Sequence, residues 1–295
     1  MKIVFLGTPD FAAASLAALV DRGFDVVACV TMPDKPAGRG HHLQASPVKQ
    51  YALEHGIPVL QPERLKDEAF VEQLRSYKAD LQIVVAFRML PEAVWAMPRL
   101  GTFNLHASLL PKYRGAAPIN WAVINGDRET GVTTFFLKHD IDTGDMIIKR
   151  EVAIAKDETG GSLFDKLMGT GAELCLEALK QIANGTAVRT PQPDGEYGYA
   201  KMLKKSEGLI DFNKKAIEIE RLVRALSPWP SAYTNLNGKM LKIWKAEVIR
   251  GKEGKSGEIT EVSPDSITVS CGEDSLKLLE IQLEGKKRMS VHDFL

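Results

Sequence analysis

Over its first 137 residues the chain alternates short apolar or β-branched runs with stretches of helical length, a rhythm that leaves few folds open. Residues 3–6 read as a buried strand. Gly7-Thr8-Pro9-Asp10 then reads as a strand-to-helix turn, with Thr8 as cap, Pro9 at the first helical position and Asp10 at the positive helix end. A helix is predicted over 11–20, a strand over 26–30, a helix over 47–55 and a strand over 58–60. A helix over 66–77 and strands over 81–86 and 102–106 follow. Strand and helix alternating at this spacing predict a parallel α/β sheet. Residues 132–137 and 146–154 read as later strands, and 161–183 as a long helix ending at Asn184-Gly185.

The pattern changes near residue 190. Pro191-Gln192-Pro193-Asp194-Gly195 is loop material, one helix is predicted over 216–226, and only short alternating segments follow Ser227-Pro228-Trp229-Pro230. Residues 267–271 and 276–283, separated by Gly272-Glu273-Asp274, read as a hairpin. This predicts a small separate β domain, with the boundary near 201–206. The 295 residues suffice for two such domains.

Charge excludes little. Lys+Arg and Asp+Glu balance at 38 each, so no whole-molecule field selects a polyanion, while residues 201–295 hold 17 basic against 14 acidic residues. Cys29, Cys175 and Cys271 are far apart and form no CxxC pair, which points to a reducing, cytoplasmic setting without a metal. The apolar run at the N-terminus is too short for a signal segment, and no stretch approaches membrane-spanning length.

Two polar residues, Asn104 and His106, stand two positions apart at the C-terminal end of a predicted strand, hence on one face. Ligands of open α/β sheets bind outside the carboxyl ends of the strands. The same pair could equally do no more than close hydrogen bonds at a strand end. Asp142 lies in Asp140-Ile141-Asp142-Thr143-Gly144-Asp145, which lacks the later Glu of a calcium loop. It reads either as a solvated acidic turn or as a partner for His106. No GxSxG elbow, GxGxxG turn or Walker loop is present, and each cysteine lies in an apolar run. What remains is an amide, an imidazole and a carboxylate. That set suits direct attack on a carbonyl carbon, with the oxyanion held by Asn104 and His106 and Asp142 assisting proton movement.

The run Phe103-Asn104-Leu105-His106-Ala107-Ser108-Leu109-Leu110-Pro111-Lys112-Tyr113-Arg114-Gly115-Ala116-Ala117-Pro118 resembles the N10-formyltetrahydrofolate-dependent formyltransferases. So do Thr130-Gly131-Val132-Thr133 and Asp142-Thr143-Gly144-Asp145. The resemblance implies a Rossmann-like parallel-sheet formyltransferase domain (1–203) followed by a small OB-like β-barrel domain (204–295). It implies formyl transfer without a covalent enzyme intermediate, with Asn104 on the formyl oxygen and His106 and Asp142 assisting. The co-substrate would be 10-formyltetrahydrofolate, with no metal. It would lie against Ala86, Arg88 and Leu90, the turn Ser108, Leu109, Leu110, Pro111, and the loop carrying Asp140. Arg88 departs from the small residue many relatives carry there.

The resemblance tightens to members that act on initiator methionyl-tRNA. Pro33-Asp34-Lys35-Pro36-Ala37-Gly38-Arg39-Gly40-His41-His42, followed by Ser46-Pro47-Val48-Lys49, is similar to the loop those members insert after the second strand. A glycine-rich basic segment without an aromatic core can order on a phosphate-rich acceptor stem or remain a mobile surface loop. Arg39 is the leading candidate for tRNA contact, with Lys35 beside it. Leu209-Ile210-Asp211-Phe212 and Pro228-Trp229-Pro230-Ser231-Ala232-Tyr233 resemble the start of the barrel in those members, a domain type that often carries nucleic acid. The expectation is a monomer with no obligate protein partner and no membrane association. The competing readings are transfer to a UDP-amino sugar, a formyl-folate hydrolase, and a folate- or RNA-binding module without catalysis.

Overall fold

The computed structural model describes residues 1–37, 42–251 and 253–295. In chain order the elements are β1 (Lys2–Gly7), α1 (Asp10–Asp21), β2 (Asp25–Val30), β3 (Lys35–Ala37), β4 (His42–Gln44), α2 (Pro47–Glu54), β5 (Val59–Leu60), α3 (Glu68–Ser76) and β6 (Leu81–Val85). Then come α4 (Glu92–Trp95), β7 (Thr102–His106), β8 (Arg114–Gly115), α5 (Pro118–Ile124), β9 (Glu129–Phe136), β10 (Met146–Ala153), α6 (Gly160–Ala183) and β11 (Tyr199–Ala200). The last are α7 (Ala216–Ala225), β12 (Ala232–Leu236), β13 (Lys239–Ile249), β14 (Ile259–Ser263), β15 (Ser266–Ser270), β16 (Ser275–Leu283), β17 (Met289–Ser290) and α8 (Val291–Phe294). The chain divides into two compact units. One comprises 1–115, 131–152 and 165–199, the other 116–130, 153–164 and 200–295.

The first unit is built on a seven-stranded sheet of order β10-β9-β7-β6-β1-β2-β5. The pairs β1–β2, β1–β6, β2–β5 and β6–β7 are parallel. β6 is buried along its whole length, and β1 along all but its first residue. This explains why both read as continuous apolar runs rather than as alternation. The sheet is not parallel throughout, because β9 runs antiparallel to β7 with His106 opposite Thr133. Spacing alone does not distinguish a strand that returns this way.

Local chemistry explains the helices, with one correction. Ser46 caps α2, its Oγ accepting from the Lys49 N–H at 3.1 Å, and Pro47 follows at the first helical position. At α1, by contrast, Pro9 rather than Thr8 is the cap residue, with no side-chain cap bond. The Thr8 hydroxyl instead accepts from the Met32 N–H at 3.4 Å, spanning to the end of β2. One face of the sheet packs a core of Val4, Leu6, Ala28, Val30, Val84 and helix residues such as Phe70 and Leu74.

The second unit carries an antiparallel sheet of order β12-β13-β16-β15-β14, with β17 on β16. The hairpin read from Gly272-Glu273-Asp274 is β15–β16. β13 is 11 residues long rather than a short segment, and register shifts break its pairing with β16 around Lys245. Its core joins Ile219 and Val223 of α7 to Leu241, Ile243, Val269, Leu276 and Leu278.

Candidate functional site

β7 ends where the site begins. Asn104 is half-buried on it, and no protein group among the described residues engages its side-chain amide, which leaves that donor free for a ligand. His106, the last residue of the strand, is 7% exposed. Its Nε2 lies 2.8 Å from the main-chain carbonyl of Tyr113. A carbonyl oxygen only accepts, so Nε2 carries a proton and the nitrogen left for chemistry is Nδ1. Nδ1 faces Asp142 Oδ2 at 3.8 Å, with both side chains largely buried. At that separation the two do not share a direct hydrogen bond. Phe135 stands edge-on to the imidazole, with the ring centres 6.5 Å apart.

Asp142 has a left-handed backbone (φ 55°), a conformation aspartate tolerates better than most residues. Its Oδ2 accepts from the Gly115 N–H at 2.9 Å. The other carboxylates of the loop have separate fates: Asp145 pairs with Lys138 at 2.7 Å, and Asp140 is exposed, its carbonyl accepting from the Thr143 hydroxyl. Asp142 is therefore no solvated acidic turn, and the loop brings it to His106.

The turn after β7 is fixed by a hydroxyl from the Thr130-Gly131-Val132-Thr133 motif, a role that the motif alone does not show. Thr133 Oγ1 on β9 donates to the Ser108 carbonyl (2.7 Å) and accepts from the Leu110 N–H (3.1 Å). The Ser108 hydroxyl donates to the Lys112 carbonyl, and Leu110 is fully buried with Phe135 and Met146. Leu109 and Pro111 are half-buried, and Leu110-Pro111 is a cis peptide.

Of the other predicted folate residues, Ala86 is exposed at the end of β6 with φ 47°, and Leu90 is buried in the core beside Val94. Arg88 is committed to protein. Its guanidinium donates to the carbonyls of Pro62 and Glu63, and its Nε is buried without a partner.

Lys35 is exposed on β3. Arg39 lies outside the described residues. The arms of its loop are not unstructured: β3 and β4 pair antiparallel, with Lys35 opposite Gln44. Asp34 anchors the base, accepting from Lys49 Nζ (2.6 Å) and Gln61 Nε2 (2.7 Å). The Lys49 bond foremost, and Gln61 after it, hold the Asp34 carboxyl below the usual carboxylate range.

Gln192 is a further residue at this site that sequence reasoning missed. Its side-chain amide donates to the carbonyls of Asp142 and Gly144. A separate cavity of about 520 Å³ in the second unit, walled by Arg128, Lys156, Arg221 and Glu220 among others, contains none of the predicted site residues.

An uncommitted amide and an imidazole with one free nitrogen beside a held carboxylate, at the rim of a mixed α/β sheet, are chemically suited to acyl-type group transfer. Residues 1–179 match the formyl transferase family and 202–295 its C-terminal domain, and the chain belongs to that family. Full-length relatives narrow the class. The chain is 52% identical to the methionyl-tRNA formyltransferase of Agathobacter rectalis, covering 100% of this chain and 96% of that one. It is 50% identical to the methionyl-tRNA formyltransferase of Geobacter metallireducens, covering 100% and 95%. Among solved structures it is similar in fold to WlaRD, a sugar 3N-formyl transferase (TM-score 0.71, 19% identity, 97% of this chain and 99% of that one). It is also similar to HypX from Aquifex aeolicus in complex with tetrahydrofolic acid (TM-score 0.67, 19% identity), covering 100% of this chain but only 47% of HypX.

Proposed function

We propose that the chain transfers the formyl group of 10-formyltetrahydrofolate to the α-amino group of initiator methionyl-tRNA. Identity near 50% along essentially the whole length of proteins so named carries the choice of acceptor. The pairing of His106 Nδ1 with a carboxylate held by the Gly115 N–H supports the chemistry.

In the reaction the amine nitrogen bonds to the formyl carbon, the bond from that carbon to N10 breaks, one proton leaves the amine and one is delivered to N10. The free amide of Asn104 donates to the formyl oxygen as it gains charge. With Nε2–H held by the Tyr113 carbonyl, a neutral His106 accepts a proton only through Nδ1. Once Nδ1 has taken that proton, its N–H can donate to the oxyanion, with the Asp142 carboxylate 3.8 Å away on the same side.

The pterin is assigned to the backbone of three segments: Ala86, Arg88 and Leu90; Ser108, Leu109, Leu110 and Pro111; and the loop of Asp140. The Thr133 hydroxyl keeps the second of these in shape. In this reading Arg88 meets the pterin only through its main chain, while its guanidinium is engaged with the carbonyls of Pro62 and Glu63. Arg39 and the exposed Lys35 contact tRNA. Residues 1–203 act as the catalytic domain, and 204–295 bind the tRNA body. The protein works as a cytoplasmic monomer, and among the described residues no helix is long and apolar enough to cross a membrane.

The test is formyl transfer from 10-formyltetrahydrofolate to charged initiator tRNA, run beside a UDP-amino sugar and beside release of free formate. Rapid transfer to the tRNA alone is expected. Preferential transfer to the sugar, or formate release without transfer, overturns the reading.

A further inference from the structure

Two residues outside the reacting set hold the Asp142 loop from behind. Gln192, 50 residues further along the chain, donates through Nε2 to the carbonyl of Asp142 (2.8 Å) and to that of Gly144 (2.9 Å), the carbonyls on either side of Thr143. Its Oε1 accepts from Nε and Nη2 of Arg114, at 3.1 and 2.6 Å. A glutamine amide has nearly the same shape either way round, and here charge decides its orientation. Reversed, the NH₂ would face the guanidinium and the oxygen would face two carbonyl oxygens, so every contact would be repulsive. Arg114 therefore fixes which end of the amide reaches the loop. The next residue, Gly115, supplies the N–H that holds the carboxylate itself.

That division of labour matters for placement. The Gly115 bond restrains one carboxylate oxygen but not the backbone that carries it. The two bonds from Gln192 fix the main chain on both sides of the turn. Together they determine where Oδ2 stands relative to His106 Nδ1.

We propose that Gln192, oriented by Arg114, is a positioning residue for formyl transfer that acts through Asp142. The inference rests on the reading of Asp142 as catalytic. Displacing a catalytic group by about 1 Å costs on the order of 10²-fold in rate, and loss of both carbonyl bonds permits a shift of that size.

The test uses the full chain in single-turnover formyl transfer, with Q192M, Q192E, D142N and the Q192M/D142N double variant. Q192M keeps the side-chain length without either hydrogen-bonding role and is expected to lower the rate about 10²-fold. Q192E keeps the acceptor for Arg114 but turns an oxygen toward both carbonyls, so its loss should be at least as large. A side chain needed only to satisfy Arg114 would tolerate that change, and Q192E stands in if Q192M does not fold. The decisive comparison is the double variant, expected to be no slower than D142N alone because the glutamine acts only through that carboxylate. Losses that multiply, or wild-type rates in both Gln192 variants, overturn the proposal. A D142N variant at wild-type speed is a different failure, that of the reading of Asp142.

Discussion

Gly144 offers a perturbation whose size follows from its close surroundings. It is buried two residues after Asp142, and a Cβ built on it would run into the Phe136 carbonyl oxygen and stand 2.8 Å from the carbonyl carbon. Ordinary contact begins near 3.4 Å, so the carbon alone demands a retreat of more than about half an ångström, and the oxygen demands more. The Phe136 carbonyl is held in place, because Phe136 lies opposite Phe103 in the β7–β9 ladder and the N–H of the same peptide unit, that of Leu137, is bonded to the Thr102 carbonyl. The loop must therefore move, carrying with it the Gly144 carbonyl that Gln192 holds and the Asp142 carboxylate. G144A should cost about 1–3 kcal/mol in stability, as overpacking usually does. It should also cost roughly 10- to 100-fold in the rate of formyl transfer. Urea unfolding and single-turnover transfer on one preparation measure both. A G144A protein that is destabilised yet transfers formyl at the wild-type rate would refute the claim that this loop's position sets the chemistry.

Other expected outcomes test separate parts of the structure. T133V removes a hydroxyl that satisfies the buried Leu110 N–H and Ser108 carbonyl, so urea unfolding should register a loss of about 1–3 kcal/mol, and an unchanged midpoint would contradict it. R88A should lower the thermal midpoint by releasing residues 62–63 while leaving the KM for 10-formyltetrahydrofolate close to wild type; a raised KM at unchanged stability would reassign the guanidinium to the folate. Burial pushes the Cys29 and Cys175 thiols up to about 12, and Cys271 is fully buried. At pH 8 the native protein should therefore resist a thiol reagent and react only on unfolding, whereas rapid native labelling would show an open core.

Much of this architecture was legible because the patterns that carry it are local. The apolar runs of β1 and β6 and the Ser46-Pro47 cap gave their elements directly, and Asn104 and His106 shared a face by simple alternation. What escaped reading depends on contacts between segments distant along the chain. β9 is antiparallel because of how it returns to β7, which no local signal records. Gln192 sits in a proline-flanked stretch that reads as loop, and its role appears only when Arg114 and the Asp142 loop are placed around it. Thr133 stands in the motif Thr130-Gly131-Val132-Thr133, but that pattern does not show that its hydroxyl bridges the Ser108 and Leu110 backbone, 23–25 residues back along the chain. The same holds for Thr8, whose hydroxyl accepts from the Met32 N–H just beyond β2 instead of capping the adjacent helix.

The central claim is that the free amide of Asn104 stabilises the formyl oxygen as charge builds on it. Single-turnover transfer by N104A, with formyl-folate and charged initiator tRNA both saturating, measures that contribution without interference from binding. A fall of about 10²- to 10³-fold, with thermal stability preserved, is the expected result. Transfer within a few-fold of wild type would contradict it.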